Sequence, residues 1–216
     1  MFAREGYPFI LGALFLAVVG FLLALRMRSW WIWLLAFVLT LVMLWVAWFF
    51  RNPERPGQRG DLLVIAPADG RVVLINEIDE PSYVGGKTTR VSIFMNVFDV
   101  HVNRYPVSGK VEHLEWRKGK FLNAISEASS EENEQSSVGI STGTHKLLVR
   151  QIAGLIARRI ITDPAVGDVA TQGSRFGLIR FGSRVDVFLP PDSTLRVTLG
   201  QRTHAGQTVI ADLPAA

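Results

Sequence analysis

The sequence predicts a mainly β, barrel- or sandwich-like soluble domain preceded by an N-terminal hydrophobic helical hairpin. Three observations carry that prediction. Two long apolar stretches without charge fill most of the first fifty residues. From residue 61 onward the chain breaks into short apolar runs separated by Gly, Pro and Asp, the punctuation of strands and turns. A Pro-x-x-Gly turn followed by a basic residue and a valine occurs twice, as Pro67-Ala68-Asp69-Gly70-Arg71-Val72 and Pro106-Val107-Ser108-Gly109-Lys110-Val111. Such a repeat suggests a domain built from related hairpins.

The hairpin comes first. Residues 9–25 and 29–50 carry no charged side chain. At about 1.5 Å per residue the second stretch is roughly 33 Å long, enough to cross a hydrocarbon core, and the first is near the lower limit. Arg26-Met27-Arg28 between them leaves room only for a tight turn. Trp30, Trp31 and Trp33 stand at one end of the second stretch and Trp45 and Trp48 at the other, where interfacial aromatics belong. A cleaved signal peptide fits poorly, since a longer span follows and no small-residue cleavage site is evident. A re-entrant or interfacial hairpin is the closer rival. Arg4 before the first stretch and Arg51, Arg55 and Arg59 after the second outnumber the two turn arginines. That asymmetry predicts an inner-membrane protein with its soluble domain on the cytoplasmic side.

Residues 1–50 are thus the expected anchor and 51–60, with Pro53 and Pro56, a linker. Residues 61–216 form the expected β-rich domain. Strands are predicted at 62–66, 71–78, 89–96, 110–116, 146–152, 158–162, 176–181, 186–189, 194–199 and 208–211. A turn or short helix is expected near 98–103, and the polar stretch 123–144 reads as a long loop. The strand–turn rhythm around Val166–Gly167–Asp168–Val169 and 197–209 resembles biotinyl- and lipoyl-carrier folds, although the lysine of a carrier hairpin tip is missing.

Composition narrows the chemistry. The chain lacks cysteine, which removes disulfides, thiolate metal sites and Cys nucleophiles. Net charge is +4 with a pI near 9.8, suited to an anionic surface. The basic residues form no dense run or stripe, so no nucleic-acid partner is expected. No His/Asp/Glu group has ligand spacing, so no metal is expected. His113, His145 and His204 have no motif context.

Three segments do have one. They are Ala66-Pro67-Ala68-Asp69-Gly70, then Phe98-Asp99-Val100-His101-Val102-Asn103-Arg104-Tyr105-Pro106-Val107-Ser108-Gly109, and then Phe181-Gly182-Ser183 near the C-terminus. Taken together, in this order behind an apolar hairpin, they resemble the phosphatidylserine decarboxylases, in particular their short bacterial and archaeal form. The likeness covers roughly residue 51 to the end. The long form of that family has a second histidine three positions after the first and a Leu-Gly-Ser-Thr setting. Here those places hold Arg104, and Phe181 and Arg184 flank the Gly-Ser pair.

The resemblance implies a pyruvoyl enzyme made by self-cleavage between Gly182 and Ser183, giving a β chain of 1–182 and an α chain of 183–216 that stay together as a heterodimer. Ser183 would attack the Gly182 carbonyl, and β-elimination of the ester would leave a dehydroalanine that becomes the pyruvoyl cofactor. Phosphatidylserine, drawn from membrane lipid, would form a Schiff base with that ketone, lose carbon dioxide and leave as phosphatidylethanolamine, a step of phospholipid biosynthesis. His101 is the implied acid/base. Asp69 would orient a base or assist cleavage. Arg104, always charged, is a poor base and suits an oxyanion or a substrate carboxylate or phosphate. Two rivals stand beside this reading: a membrane-anchored β-barrel adaptor without chemistry, and a pyruvoyl decarboxylase of a free amino acid, for which an apolar hairpin has no use.

Overall fold

The computed structural model describes residues 1–155, 159–180 and 182–215, and the chain divides into two compact units, Met1–Glu54 and Arg55–Ala216.

The first unit is a helical hairpin of α1 (Tyr7–Met27) and α2 (Trp30–Phe49). Both helices are long and apolar enough to cross a membrane. The first begins at Tyr7, with Pro8 in its opening turn where a missing N–H is not needed, and runs on through Arg26 to Met27. The helices meet through small residues. Ala17, Gly20 and Ala24 of α1 and Ala36 of α2 are buried. A Cβ on Gly20 would lie 2.9 Å from the Leu39 side chain, so glycine sets the approach. Arg28 turns the chain in a left-handed conformation, with φ +50°. Large side chains such as Phe15, Leu22, Trp31 and Phe37 are exposed, as expected for a hairpin solvated by lipid.

The second unit is mainly β, as the sequence predicts. Its strands are β1 (Leu63–Ile65), β2 (Gly70–Glu80), β3 (Gly86–Met95), β4 (Val102–Arg104) and β5 (Gly109–Arg117). After a one-turn helix, α3 (Ser129–Glu132), follow β6 (Gln135–Ser141), β7 (Lys146–Ile152), β8 (Arg159–Thr162), β9 (Val169–Ala170) and β10 (Arg175–Arg180). β11 (Ser183–Leu189), β12 (Thr194–Leu195), β13 (Arg202–Thr203) and β14 (Val209–Asp212) complete the chain. Eight of these form one antiparallel sheet in the order β13-β2-β3-β11-β7-β6-β5-β9, curled as a half-barrel. Two three-stranded sheets, β1-β14-β12 and β4-β10-β8, accompany it. Val64, Ile93, Val111, Ile140, Val185 and Val187 are among the residues of the core.

The repeated motif is the visible part of a pseudo-twofold arrangement. The order of the large sheet is palindromic about β11 and β7, and the two small sheets are counterparts. The Ile65 N–H donates to Pro106 O at 3.0 Å and the Arg104 N–H to Pro67 O at 2.9 Å, a reciprocal exchange between the two motifs. Each motif's glycine opens a long strand at a close crossing. A Cβ on Gly70 would lie 2.2 Å from Phe94 O, and one on Gly109 would lie 2.2 Å from Ser141 O. Only glycine allows such approaches.

The structure departs from the sequence reading in places. The expected loop 123–144 contains α3 and the whole of β6. The turn near 98–103 is a turn that runs straight into β4. The expected linker 51–60 divides at Glu54, and Arg55 and Arg59 bond to the β unit at Asp69, Gln207 and Gly206. Arg158 and Phe181, which the sequence reading put at strand ends, lie outside the described residues.

Candidate active site

Ser183 is the first residue of β11, whose two neighbours β3 and β7 hold it in the middle of the sheet. It pairs with Met95 at the end of β3. The Ser183 side chain is fully buried, and its hydroxyl finds no hydrogen-bond partner among the described residues. A buried hydroxyl without a partner is destabilising by about 1–3 kcal/mol, so its retention asks for a functional reason.

Gly182 before it stands at φ +62°, a left-handed conformation that side chains resist. Its carbonyl oxygen points at Gly154, where a Cβ would lie only 2.1 Å away. Its N–H donates to His101 Nε2 at 3.3 Å.

His101 follows the 96–100 turn and leads into β4. It is fully buried. Its Nδ1 lies 3.0 Å from Asp99 O, and its own carbonyl accepts the Ile179 N–H at 3.3 Å. Since Nε2 accepts from Gly182, the proton of the neutral ring belongs on Nδ1, donated to Asp99 O. The Nε2 lone pair therefore points at the Gly182 N–H, one peptide unit before the bond that joins Gly182 to Ser183. The turn itself is braced by the Asp99 carboxylate, which accepts the Asn96 N–H at 2.9 Å and pairs with Arg202.

Asp69 and Arg104 form a second group. Asp69 Oδ2 pairs with Arg55 at 2.6 Å and Oδ1 accepts the Ala205 N–H at 2.8 Å. Its hydrogen bonds thus do not go to His101 or Ser183. Its link to His101 runs through β13: Thr203 Oγ1 donates to Ala68 O, and the adjacent Arg202 holds Asp99. Arg104 donates to Gly173 O at 2.9 Å. Burial, and then the charges of Arg55, Arg59 and Arg175 against that of Asp69, hold its pKa below the ordinary arginine value.

A pocket of about 270 Å³ opens beside this peptide, with Asn96, Val97, Asn123, Ala124, Leu155 and Gly182 among its walls. One wall belongs to the 122–132 segment, which Arg184 ties down. The buried Arg184 pairs with Asp186 at 2.8 Å and also donates to Ala124 O, Ser126 O and Ser129 Oγ. Sequence reading noted Arg184 only as a flanking residue and gave Gly154 and Asp99 no role. The signal for Asp99 was its place two residues before His101. Gly154 carries none, because the carbonyl it accommodates is 28 residues away in sequence. Among the described residues no group of three His, Asp or Glu could hold a metal ion.

The arrangement suits an acyl shift: a buried hydroxyl, a carbonyl held in a glycine-only conformation, and an imidazole bonded to the N–H of that same glycine. Comparison with known sequences gives the family. The family model described as phosphatidylserine decarboxylase matches residues 42–211. The chain is 53% identical over 213 residues to the phosphatidylserine decarboxylase proenzyme of Symbiobacterium thermophilum, covering 98% of this chain and 95% of that one. The phosphatidylserine decarboxylase proenzymes of Syntrophotalea carbinolica and Geobacter metallireducens are 47% and 46% identical, each across 98% of this chain and 96% of its own.

Proposed function

This chain belongs to the phosphatidylserine decarboxylase family and is a decarboxylase, and from that premise we propose that it converts phosphatidylserine to phosphatidylethanolamine through a pyruvoyl group made from its own Ser183. The observation that carries the reading is the buried Ser183 hydroxyl, without a partner among the described residues, next to a glycine at φ +62° whose N–H is held by His101. The relatives' designation as proenzymes supports a chain activated by processing.

In the proposed cleavage His101 Nε2 exchanges the Gly182 N–H for the Ser183 hydroxyl and takes its proton, and the oxygen attacks the Gly182 carbonyl carbon. The C–N bond breaks as the amine leaves, giving an ester. Removal of the Ser183 α-proton then expels the Gly182 carboxylate and leaves dehydroalanine. Its imine tautomer takes up water and releases ammonia. The buried site fits the product, since the ketone replaces a hydroxyl that has no partner to lose. That pyruvoyl group supplies an electrophilic ketone that binds an amine and draws electrons from carbon as carbon dioxide departs.

The chain's own residues do the rest. The pocket walls at Asn96 and Asn123 offer amides to a polar headgroup. His101 Nε2 is the proton carrier for the carbon that loses its carboxylate. Asp69 acts at a distance, holding the turn that carries Thr203 and Arg202, which in turn fix Asp99 and His101. Arg104 stands with Asp69 and Arg55 as the candidate for binding an anionic group. The α chain keeps its place because β11 pairs with β3 on one side and β7 on the other, both in the β chain. The two apolar helices support membrane attachment, which keeps the enzyme in the phase where its substrate resides, and the arginine asymmetry supports a cytoplasmic catalytic unit on the inner membrane.

Denaturing mass analysis tests the reading. The mature enzyme should give two chains, cut after Gly182, and the 34-residue piece should carry a ketone trapped by hydroxylamine or borohydride. Ser183→Ala should remain one chain and release no carbon dioxide from phosphatidylserine. Active material that keeps an intact serine at 183 would overturn it.

A further inference from the structure

We infer that Phe98, Ile125 and Leu155 form an apolar rim that seats the mouth of the active-site pocket in the surface of a lipid bilayer. The inference rests on the proposed lipid substrate and deepens it. These three large side chains are 64%, 53% and 67% exposed. They come from three separate segments that converge on one pocket: Phe98 follows Asn96 and Val97, Ile125 follows Asn123 and Ala124, and Leu155 is itself in the wall.

Two of the tips are built alike. Asn96 Oδ1 accepts the Phe98 N–H at 2.8 Å, and Asn123 Oδ1 accepts the Ile125 N–H at 3.1 Å. Each is an Asx turn, and in each the asparagine that faces the pocket fixes the apolar residue two places on. The second tip is braced again by Arg184 through Ala124 O and Ser126 O. Large apolar side chains held out by such turns mark a surface that meets something apolar.

Pocket size identifies the occupant. Sites that enclose a whole small molecule run to about 300–1,000 Å³, and this one holds about 270 Å³. It can take a headgroup but not two acyl chains. The chains of a diacyl substrate must then remain in the bilayer while the headgroup reaches Gly182, so the mouth has to lie at the bilayer surface. The other exposed large apolar residues described in this unit, Leu62, Trp116, Val166, Val169 and Leu199, neither line this pocket nor adjoin a lining residue in sequence.

The chain has no cysteine, so single probes are clean. Phe98→Cys and Ile125→Cys in the full-length protein, labelled with an environment-sensitive fluorophore and reconstituted in phosphatidylserine-containing vesicles, should shift to the blue and be quenched by lipid-borne nitroxide. The Leu199→Cys label should stay in water. Unlabelled Phe98→Ser/Ile125→Ser should self-cleave normally and keep activity on monomeric short-chain phosphatidylserine within about twofold, while losing about tenfold or more on vesicles. Labels that stay aqueous, or equal losses on both substrates, overturn the rim. A wild type that decarboxylates neither substrate overturns the functional reading beneath it.

Discussion

At Gly182 two glycines share one task. Gly182 supplies the left-handed turn and Gly154 the space into which its carbonyl points, with 2.1 Å left for any Cβ. Gly154→Ala forces that carbonyl to swing, and with it the angle at which Ser183 meets the carbon. Misplacement of reacting atoms by an ångström or so slows a step by about 100-fold. Gly154→Ala should therefore accumulate uncut precursor, read on a time course of denaturing gels, with far-ultraviolet circular dichroism like that of Ser183→Ala. Normal processing of Gly154→Ala would show that the carbonyl does not need this seat. His101→Gln retains an acceptor for the Gly182 N–H but has no basic nitrogen. It should slow cleavage by about 10²–10⁴-fold, the usual contribution of a general base. A processing rate near wild type would remove His101 from that role. These residues differ in how they show in a chain. His101, Gly182 and Ser183 stand in motifs. Gly154 is visible only once the fold has brought it against a peptide 28 positions away.

The elements around the site repeat that contrast. β7 is found at the residues the apolar pattern gives, and β2, β3 and β5 differ only at their ends, because each alternates or runs apolar between turn signals. β6 is hidden, since Gln135-Ser136-Ser137 reads as loop. In the fold those side chains are buried and bonded: Ser136 to Thr162, Ser137 to Arg150, Gln135 to Ser130 O. Partners that satisfy a polar strand come from elsewhere in sequence, so local pattern cannot announce it. The β2–β3 turn gives an element-scale prediction. The buried Glu80 carboxylate accepts the N–H groups of Ser82, Tyr83 and Val84 and the Ser82 hydroxyl. Burial alone would raise its pKa, but these hydrogen bonds outweigh it and leave the pKa below the ordinary value. A carboxylate with a depressed folded pKa adds stability that is full above its unfolded pKa and fades as pH falls through the folded one. The wild type should lose this share below about pH 4. Glu80→Gln should be less stable by about 1–3 kcal/mol at neutral pH, with the gap narrowing in acid, as followed by urea melts at both pH values. A gap independent of pH would mean that the turn does not depend on the charge.

For the whole molecule, the palindromic sheet decides what the proposed self-cleavage would do to folding. The proposed cut falls at the start of β11, beside the axis that relates β11 to β7. The 34 residues it would release hold β11 in the centre of the large sheet, β13 at its edge, and β12 and β14 in a small sheet with β1. Neither chain has a complete core alone, since Val185, Val187, Leu189 and Ile210 of one pack in the same cluster as Val91, Ile93, Leu147 and Val149 of the other. The cut pieces should remain a one-to-one complex under native conditions and separate only on unfolding. Refolding then becomes bimolecular, and a central strand must be inserted between two others without a tether to guide it. Ser183→Ala should refold in detergent from denaturant with a yield independent of protein concentration, whereas the cleaved enzyme should refold poorly and better at higher concentration until aggregation intervenes. Equal, concentration-independent recovery of both would mean that the β chain folds first by itself, with β3 and β7 holding open a place that β11 fills afterwards.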